Sequence, residues 1–213
     1  MASGTGIPRI LDARLPSDRA HLKRRGSSYA PAFDSIYFRI DIRPEVHGAE
    51  LLPLIVPGGR LSWRWVLGEG PFYSSLPGAF CVVEPDGGTR SISTGLGEFD
   101  IRGMESHVFH AGFDEDNLDR HFDPFGRFVC ATAERAICDW IYLSMRRKGY
   151  GEHGWGLGPA PDQVDLDELS LPRIRRLSDA MGILGNFERW YARWQEVQQD
   201  EEVTGKFSKA LGY

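Results

Sequence analysis

Residues 130–147 read CATAERAICDWIYLSMRR, and this stretch has the clearest secondary-structure signal in the chain. Thr132 is a preferred N-cap residue, and Glu134 lies in the first turn, where the helix dipole favours a carboxylate. Apolar side chains recur at helical spacing at Ala133, Ile137, Trp140 and Ile141. The stretch therefore predicts an amphipathic helix over residues 132–147. Basic residues in its last turn and Gly149 after it mark its C-terminal end.

Composition limits what kind of protein this is. The chain has 213 residues, enough for one large or two small domains, and its 6 Trp, 12 Phe and 7 Tyr residues exclude a disordered chain. No apolar run approaches the roughly 18 residues of a membrane helix, and we expect no membrane partner and no secretory signal. The three cysteines, Cys81, Cys130 and Cys138, lack CxxC spacing, which predicts buried, reduced thiols in a cytoplasmic protein.

Charge is unevenly distributed along this acidic chain, whose formal net charge is −5. A basic N-terminal segment contains a predicted helix over residues 18–25, capped by Ser17 and ended by Gly26. Such a helix is either a solvated basic surface, the commoner case, or a surface that faces phosphates. Arg60 and Arg64 add positive charge beside two tryptophans. The candidate DNA-binding residues are Arg14, Arg19, Lys23, Arg24, Arg25, Arg60 and Arg64.

The remaining pattern predicts an α+β fold, with a short antiparallel sheet flanked by helices and a helical C-terminal part. We expect a strand at 36–42 with Phe38, Ile40 and Ile42 inward, a helical turn at 49–55 and a short helix at 61–68. Three or four antiparallel strands follow between 79 and 109, with a hairpin turn at 85–88 and Val108-Phe109 extending the sheet. Helices begin after caps at Ser170 and Asn186, and residues 111–127 and 149–162 are predicted loops.

No catalytic motif is well specified. His107 and His110, with Asp114, Glu115 and His121, are the best metal candidates, but on a strand end the two histidines would not share a face. The HExxH, GxSxG and GxxxxGK[ST] signatures are absent. We therefore predict no catalytic residue, no metal and no cofactor. The alternative is a small metal- or ligand-binding enzyme with a site near residues 107–121 and 149–162, where His153 would join the titratable groups.

Several stretches resemble the C-terminal domain of the AbiEi family, the antitoxins of type IV toxin–antitoxin and abortive-infection systems. ATAERAICDWIYL (131–143) is similar to the family pattern A-T-P-E-[RK]-A-[IL]-x-D-x-[LI]-Y-L, with Ala133 in place of proline. LSWRWVL (61–67) resembles L-S-x-x-S-A-L, with Trp65 at the second serine and Val66 at the alanine. GEFDIR (97–102) and DLDEL (165–169) are similar to further segments, in the same order over residues 50–185.

The resemblance implies a cytoplasmic, non-catalytic antitoxin whose functional partner is a nucleotidyltransferase-like toxin, acting without a stable complex. Family members usually have an N-terminal winged helix that binds promoter DNA and represses their own operon. In this chain the pattern of residues 1–45 does not predict three helices and a wing. The helix that ends at Gly26, followed by the strand at 36–42, is instead a candidate remnant of a recognition helix and wing. We predict a domain organisation of 1–45, the basic segment, and 46–213, the AbiEi-like α+β domain.

Overall fold

A computed structural model describes residues 8–43, 45–70, 78–112, 118–121, 128–146 and 158–210. Helices and two sheets alternate along the chain, and the C-terminal part is helical. The α+β class predicted from the sequence is confirmed. No helix within the described ranges combines the length and the apolar character needed to cross a membrane.

The N-terminal sheet has three antiparallel strands. They are β1 (Ile10–Asp12), β2 (Tyr29–Phe33) and β3 (Ile36–Arg39), in the order β1-β3-β2, and helix α1 (Pro16–Arg25) connects β1 to β2. The predicted strand at 36–42 is thus shorter than expected. Because β3 ends at Arg39, Ile40 lies outside the sheet and is 54% exposed, while Ile36 is buried.

The second sheet has six strands in the order β6-β7-β5-β4-β9-β8. They are β4 (Arg60–Leu61), β5 (Phe80–Pro85), β6 (Arg90–Thr94), β7 (Gly97–Met104), β8 (Leu118–His121) and β9 (Phe128–Ala131). Three strand pairs are antiparallel, but β5 pairs with β7, and β4 with β9, in parallel. The sheet is therefore mixed.

The hairpin predicted at residues 85–88 is wrong, because β6 pairs with β7 and not with β5. Turn residues signal a change of direction but do not choose the partner strand. Burial explains the choice. Three consecutive residues of β5, 81–83, are fully buried, as suits a strand inside the sheet, while β6 is largely exposed and forms the edge.

In the described residues, six further α-helices cover the large sheet and form the C-terminal part. They are α2 (Leu52–Ile55), α3 (Trp63–Glu69), α4 (Ser106–His110), α5 (Ala133–Met145), α6 (Leu171–Ala180) and α7 (Leu184–Ala210). Val108 and Phe109 are buried, but in α4, so they do not extend the sheet as predicted. Helix α7 begins before the predicted cap at Asn186, and Ser170 precedes α6 without a side-chain capping bond.

Helix α5 is the predicted central helix. The Thr132 hydroxyl accepts a hydrogen bond from the backbone N–H of Arg135 at 3.5 Å. Ala133, Ile137 and Ile141 are buried as expected, whereas Trp140 is only partly buried. The apolar spacing thus identified part of the buried surface, but the opposite side, with Arg135, Cys138 and Asp139, is buried as well.

The two sheets fall on either side of residue 45, and side chains connect them. Arg9 forms an ion pair with Glu50 at 2.9 Å, and the backbone N–H of Gly95 donates to the carbonyl of Ala32 at 2.8 Å. Ala32 and Ile36 belong to the same hydrophobic core as the large sheet. The boundary at residue 45 therefore separates two sheets that share a core.

Candidate functional site

Helix α1 is polar on all sides, and none of its ten residues is buried. Arg19, Lys23, Arg24 and Arg25 are exposed, and none of them pairs with a carboxylate within 4 Å in the described part of the chain. The last turn suits three of these cations, because the C-terminal end of a helix carries partial negative charge. We call Arg19, Lys23, Arg24 and Arg25 the basic face.

Arg14 precedes α1 and differs from the basic face. It is exposed, but its guanidinium binds the Asp12 carboxylate, with Nη2 2.7 Å from Oδ2. Hydrogen bonds from Arg14 lower the pKa of Asp12 to about 2. Asp12 therefore remains charged and offsets the charge of Arg14, so this candidate adds less to phosphate attraction than the basic face does.

Aromatic contacts hold α1 against the N-terminal sheet. The half-buried His21 ring meets the Tyr29 ring edge-on, with centroids 5.8 Å apart, and the Tyr29 hydroxyl donates to the carbonyl of Pro8 at 2.6 Å. Asp18 accepts a hydrogen bond from the backbone N–H of Asp12 at 2.9 Å. These contacts fix the helix on the sheet and leave the four cations of the basic face exposed.

Arg60 does not lie on the same surface as the basic face of α1. Arg60 is 2% exposed and pairs with Asp139 at 3.2 Å, so a phosphate could not reach it, and the prediction for this residue is corrected. Arg64 is about half exposed but lies on α3, with Nη2 3.8 Å from Asp100. The tryptophans beside them, Trp63 and Trp65, are buried core residues, as expected of an aromatic-rich helix.

Asp139 is the centre of a buried polar network. Its carboxylate is fully buried and accepts hydrogen bonds from Ser62 Oγ at 2.7 Å, Arg135 Nε at 2.9 Å and Arg60 Nη2 at 3.2 Å. Burial alone would raise the pKa of Asp139, but the charges of Arg135 and Arg60 and the Ser62 hydrogen bond hold that pKa below its ordinary value. The group is therefore a permanent anion at neutral pH.

The two arginines of the network also bind the end of α4. Arg135 donates to the carbonyls of Val108 at 2.8 Å, Phe109 at 3.1 Å and Ala111. Arg60 donates to the Phe109 carbonyl at 3.2 Å, and its guanidinium lies 4.0 Å from the centroid of the Phe109 ring. Carbonyls at a helix C-terminus carry partial negative charge, which offsets the second buried cation. The network therefore fixes β4, α4 and α5 to one another.

Sequence reasoning overlooked this network, although a signal was present. Arg135 and Asp139 lie four residues apart on one helix, a spacing at which opposite charges meet. Ser62 and Asp139 also occupy fixed positions of the AbiEi-like patterns, and Arg135 occupies a position given as Arg or Lys. Two separate stretches on which the resemblance depends thus meet in the network.

The histidine candidates lie on α4, not on a strand end as expected. His107 is largely exposed, with Nδ1 3.6 Å from Glu105, and His110 is also exposed. In the ranges that the structure covers, no group of three or more His, Cys, Asp or Glu side chains is arranged to hold a metal ion. Asp114, Glu115 and His153 lie outside the described residues, as does the side chain of His121.

All three cysteines are buried and none forms a disulfide, which confirms the prediction of buried thiols. Burial raises the pKa of Cys81 to about 11 and that of Cys138 to about 12. Both thiols therefore stay protonated at neutral pH, the form that is a poor nucleophile.

No protein-family profile matches the chain, and no curated protein matches it significantly. The function must therefore be inferred from the geometry described above.

Proposed function

We propose that the chain is a non-catalytic, antitoxin-like regulatory protein that binds promoter DNA through the basic face of α1. The observation that carries this proposal is the set of four exposed cations on one short helix, none of which pairs with a carboxylate of the described residues. Residues 8–43 contain eight Arg and Lys residues and four Asp, a net charge of +4, although the whole chain has a net charge of −5. Clustered cations of this kind provide the electrostatic part of DNA binding.

The elements around α1 support the same proposal. The helix is followed by the β2–β3 hairpin, and β1 pairs with β3, so helix and hairpin form one unit. This order is what the remnant of a recognition helix and wing requires. Ten helical residues span about 15 Å, and a helix fits the DNA major groove, which is about 12 Å wide.

The antitoxin part of the proposal is supported by the resemblance to AbiEi proteins. Ser62, Arg135 and Asp139 stand at matching positions of two resembling stretches and form one buried network. We infer a cytoplasmic protein whose functional partner is a nucleotidyltransferase-like toxin. Co-expression with the toxin candidate encoded beside its gene tests this inference. Growth should be restored by the chain, and a toxin that stays equally harmful with it would contradict the inference.

DNA binding is tested by fluorescence anisotropy of the purified protein with a labelled duplex from its own upstream region. A scrambled duplex of equal length is the comparison, over a salt series from about 50 to 200 mM. We expect tighter binding to the upstream duplex and a steep fall with salt. In Arg24→Ala/Arg25→Ala the plot of log K against log salt should become less steep, with the magnitude of its slope lower by about 2. Each lost phosphate contact lowers that magnitude by about 0.9.

A matched control removes two arginines elsewhere. Arg176 and Arg189 are exposed on α6 and α7, so Arg176→Ala/Arg189→Ala lowers the net charge equally without touching α1. This control should keep the wild-type slope. Equal losses in both double variants would show that overall charge, and not the basic face, governs binding. Absence of binding to either duplex would refute the DNA-binding proposal.

A further inference from the structure

A cleft of about 530 Å³ lies between α3, β7 and the C-terminal end of α5, away from α1. Three arginines from three different elements line it: Arg64 on α3, Arg102 on β7 and Arg146 after α5. Asp100 is the carboxylate in the described lining. These four side chains give the cleft a net charge of +2, inside an acidic protein.

The arginines have hydrogen-bonding capacity to spare. Arg102 Nε lies 3.0 Å from Asp100 Oδ1, and Arg64 shares the same carboxylate more distantly, at 3.8 Å. Arg146 Nη2 lies 3.9 Å from Glu105, beyond hydrogen-bond distance, and its Nη1 donates to the Tyr142 hydroxyl at 3.4 Å. All three side chains are partly exposed, at 47%, 26% and 51% for Arg64, Arg102 and Arg146. A guanidinium has five N–H donors, so one shared carboxylate leaves most of them for another anion.

Apolar side chains also line the cleft, and one of them belongs to a strained residue. Trp140 and Leu143 on α5, with the largely buried Trp63 on α3, form this apolar wall beside the arginines. Trp63 has a φ of 30°, a conformation that bulky residues rarely adopt. Ser62, directly before it, is fixed by its hydrogen bonds to Asp139 at 2.7 Å and to the Cys81 carbonyl at 2.9 Å. Backbone strain of this kind concentrates at binding sites, where the surrounding structure maintains it.

We propose that this cleft binds a nucleoside phosphate. The arginines would bind the phosphate by charge-assisted hydrogen bonds, and the apolar wall would receive the base. The volume lies in the range of small-molecule sites, roughly 300–1,000 Å³, and is far larger than inorganic phosphate needs. This site is separate from the basic face and does not depend on DNA binding.

Isothermal titration calorimetry of the full chain tests the proposal, with AMP, adenosine and inorganic phosphate as separate probes. AMP should bind, and the other two should bind at least about tenfold more weakly, because each makes only part of the contacts. Arg64→Ala/Arg146→Ala changes two half-exposed side chains and should weaken AMP binding by at least about tenfold. Arg176→Ala/Arg189→Ala, which removes the same charge elsewhere, should bind AMP like the wild type.

The Asp100→Asn substitution should instead strengthen AMP binding. It removes the carboxylate that competes for two arginines, so AMP should bind several-fold more tightly, a gain that loss of structure would not produce. The proposal would be overturned by no AMP binding by the wild type, by equal AMP affinity in the Arg64→Ala/Arg146→Ala variant, or by phosphate binding as tight as AMP binding. Weaker AMP binding by a folded Asp100→Asn protein would likewise overturn the assignment of the arginines as the anion site.

Discussion

Arginines serve two opposite purposes in this protein, on α1 and around Asp139. On α1, Arg24 and Arg25 are exposed and have no carboxylate partner among the described residues. Around Asp139, Arg60 and Arg135 are buried and donate hydrogen bonds to a carboxylate and to backbone carbonyls. The first pair leaves its positive charge exposed to solvent, whereas the second uses its charge inside the fold.

The environment of an arginine, and not the residue type, decides whether its charge is paired inside the fold or left exposed. A buried cation must be paired and hydrogen-bonded, because leaving water costs several kcal/mol per ion. An exposed cation loses little by remaining unpaired in water. Substitutions at the two locations should therefore affect different measurements: stability around Asp139 and nucleic-acid affinity on α1.

The largest effect is expected for Asp139→Ala. Removing the carboxylate leaves Arg60 and Arg135 buried without their counter-charge, so the free energy of unfolding should fall by about 3–5 kcal/mol. Urea denaturation followed by tryptophan fluorescence measures this loss. Asp179→Ala, at an exposed position on α6, is the control and should change stability by less than about 0.5 kcal/mol. Similar small changes in both variants would show that the network does not stabilise the fold.

A smaller loss is expected for Ser62→Ala. The change removes one hydrogen bond to a charged group, which contributes about 1.5–3 kcal/mol, while both arginines still neutralise Asp139. The backbone bond from Ser62 to Cys81 is retained. Ser93→Ala, exposed on β6, provides the control in the same denaturation experiment. A loss as large as that of Asp139→Ala would mean that the hydroxyl, and not the charge pairing, dominates the network.

The ionisation of Asp139 predicts how stability depends on pH. Its pKa in the folded protein is lowered, so its contribution is complete above the unfolded-state pKa, about 3.9, and is lost as the pH falls through the lower folded-state value. The difference in unfolding free energy between wild type and Asp139→Ala should stay constant from about pH 7 to 5 and narrow below about pH 4. A difference that instead grew as the pH fell would show that Asp139 is buried as the neutral acid.

The central helix was predictable because its signals are local. The Thr132 cap, the apolar spacing and the closing basic residues all lie within one stretch, and α5 follows them closely. The C-terminal helices were predictable for the same reason: α6 begins directly after Ser170 as predicted, whereas α7 begins before the predicted cap at Asn186. Strand pairing was not predictable in this way, since the turn residues after β5 do not reveal that β6 pairs with β7.

The candidate site was predictable only where exposure follows from local sequence. The basic helix has no apolar stripe, so its residues were expected to stay out of the core, and none of them is buried. Arg60 was misassigned because its partner, Asp139, is 79 residues away in sequence. The arginines of the cleft come from three separate elements and meet only in the folded chain.

The smallest stability change is expected for Arg24→Ala/Arg25→Ala. Both side chains are exposed, and the one hydrogen bond described for them joins Arg24 to the Ala20 carbonyl within α1, so the free energy of unfolding should change by less than about 0.5 kcal/mol. The same urea denaturation measures it. If this variant keeps wild-type stability while its DNA affinity falls, the two roles of arginine are separated experimentally. A loss above about 1 kcal/mol would mean that the basic face supports the fold, and its lower DNA affinity would then reflect damage to α1.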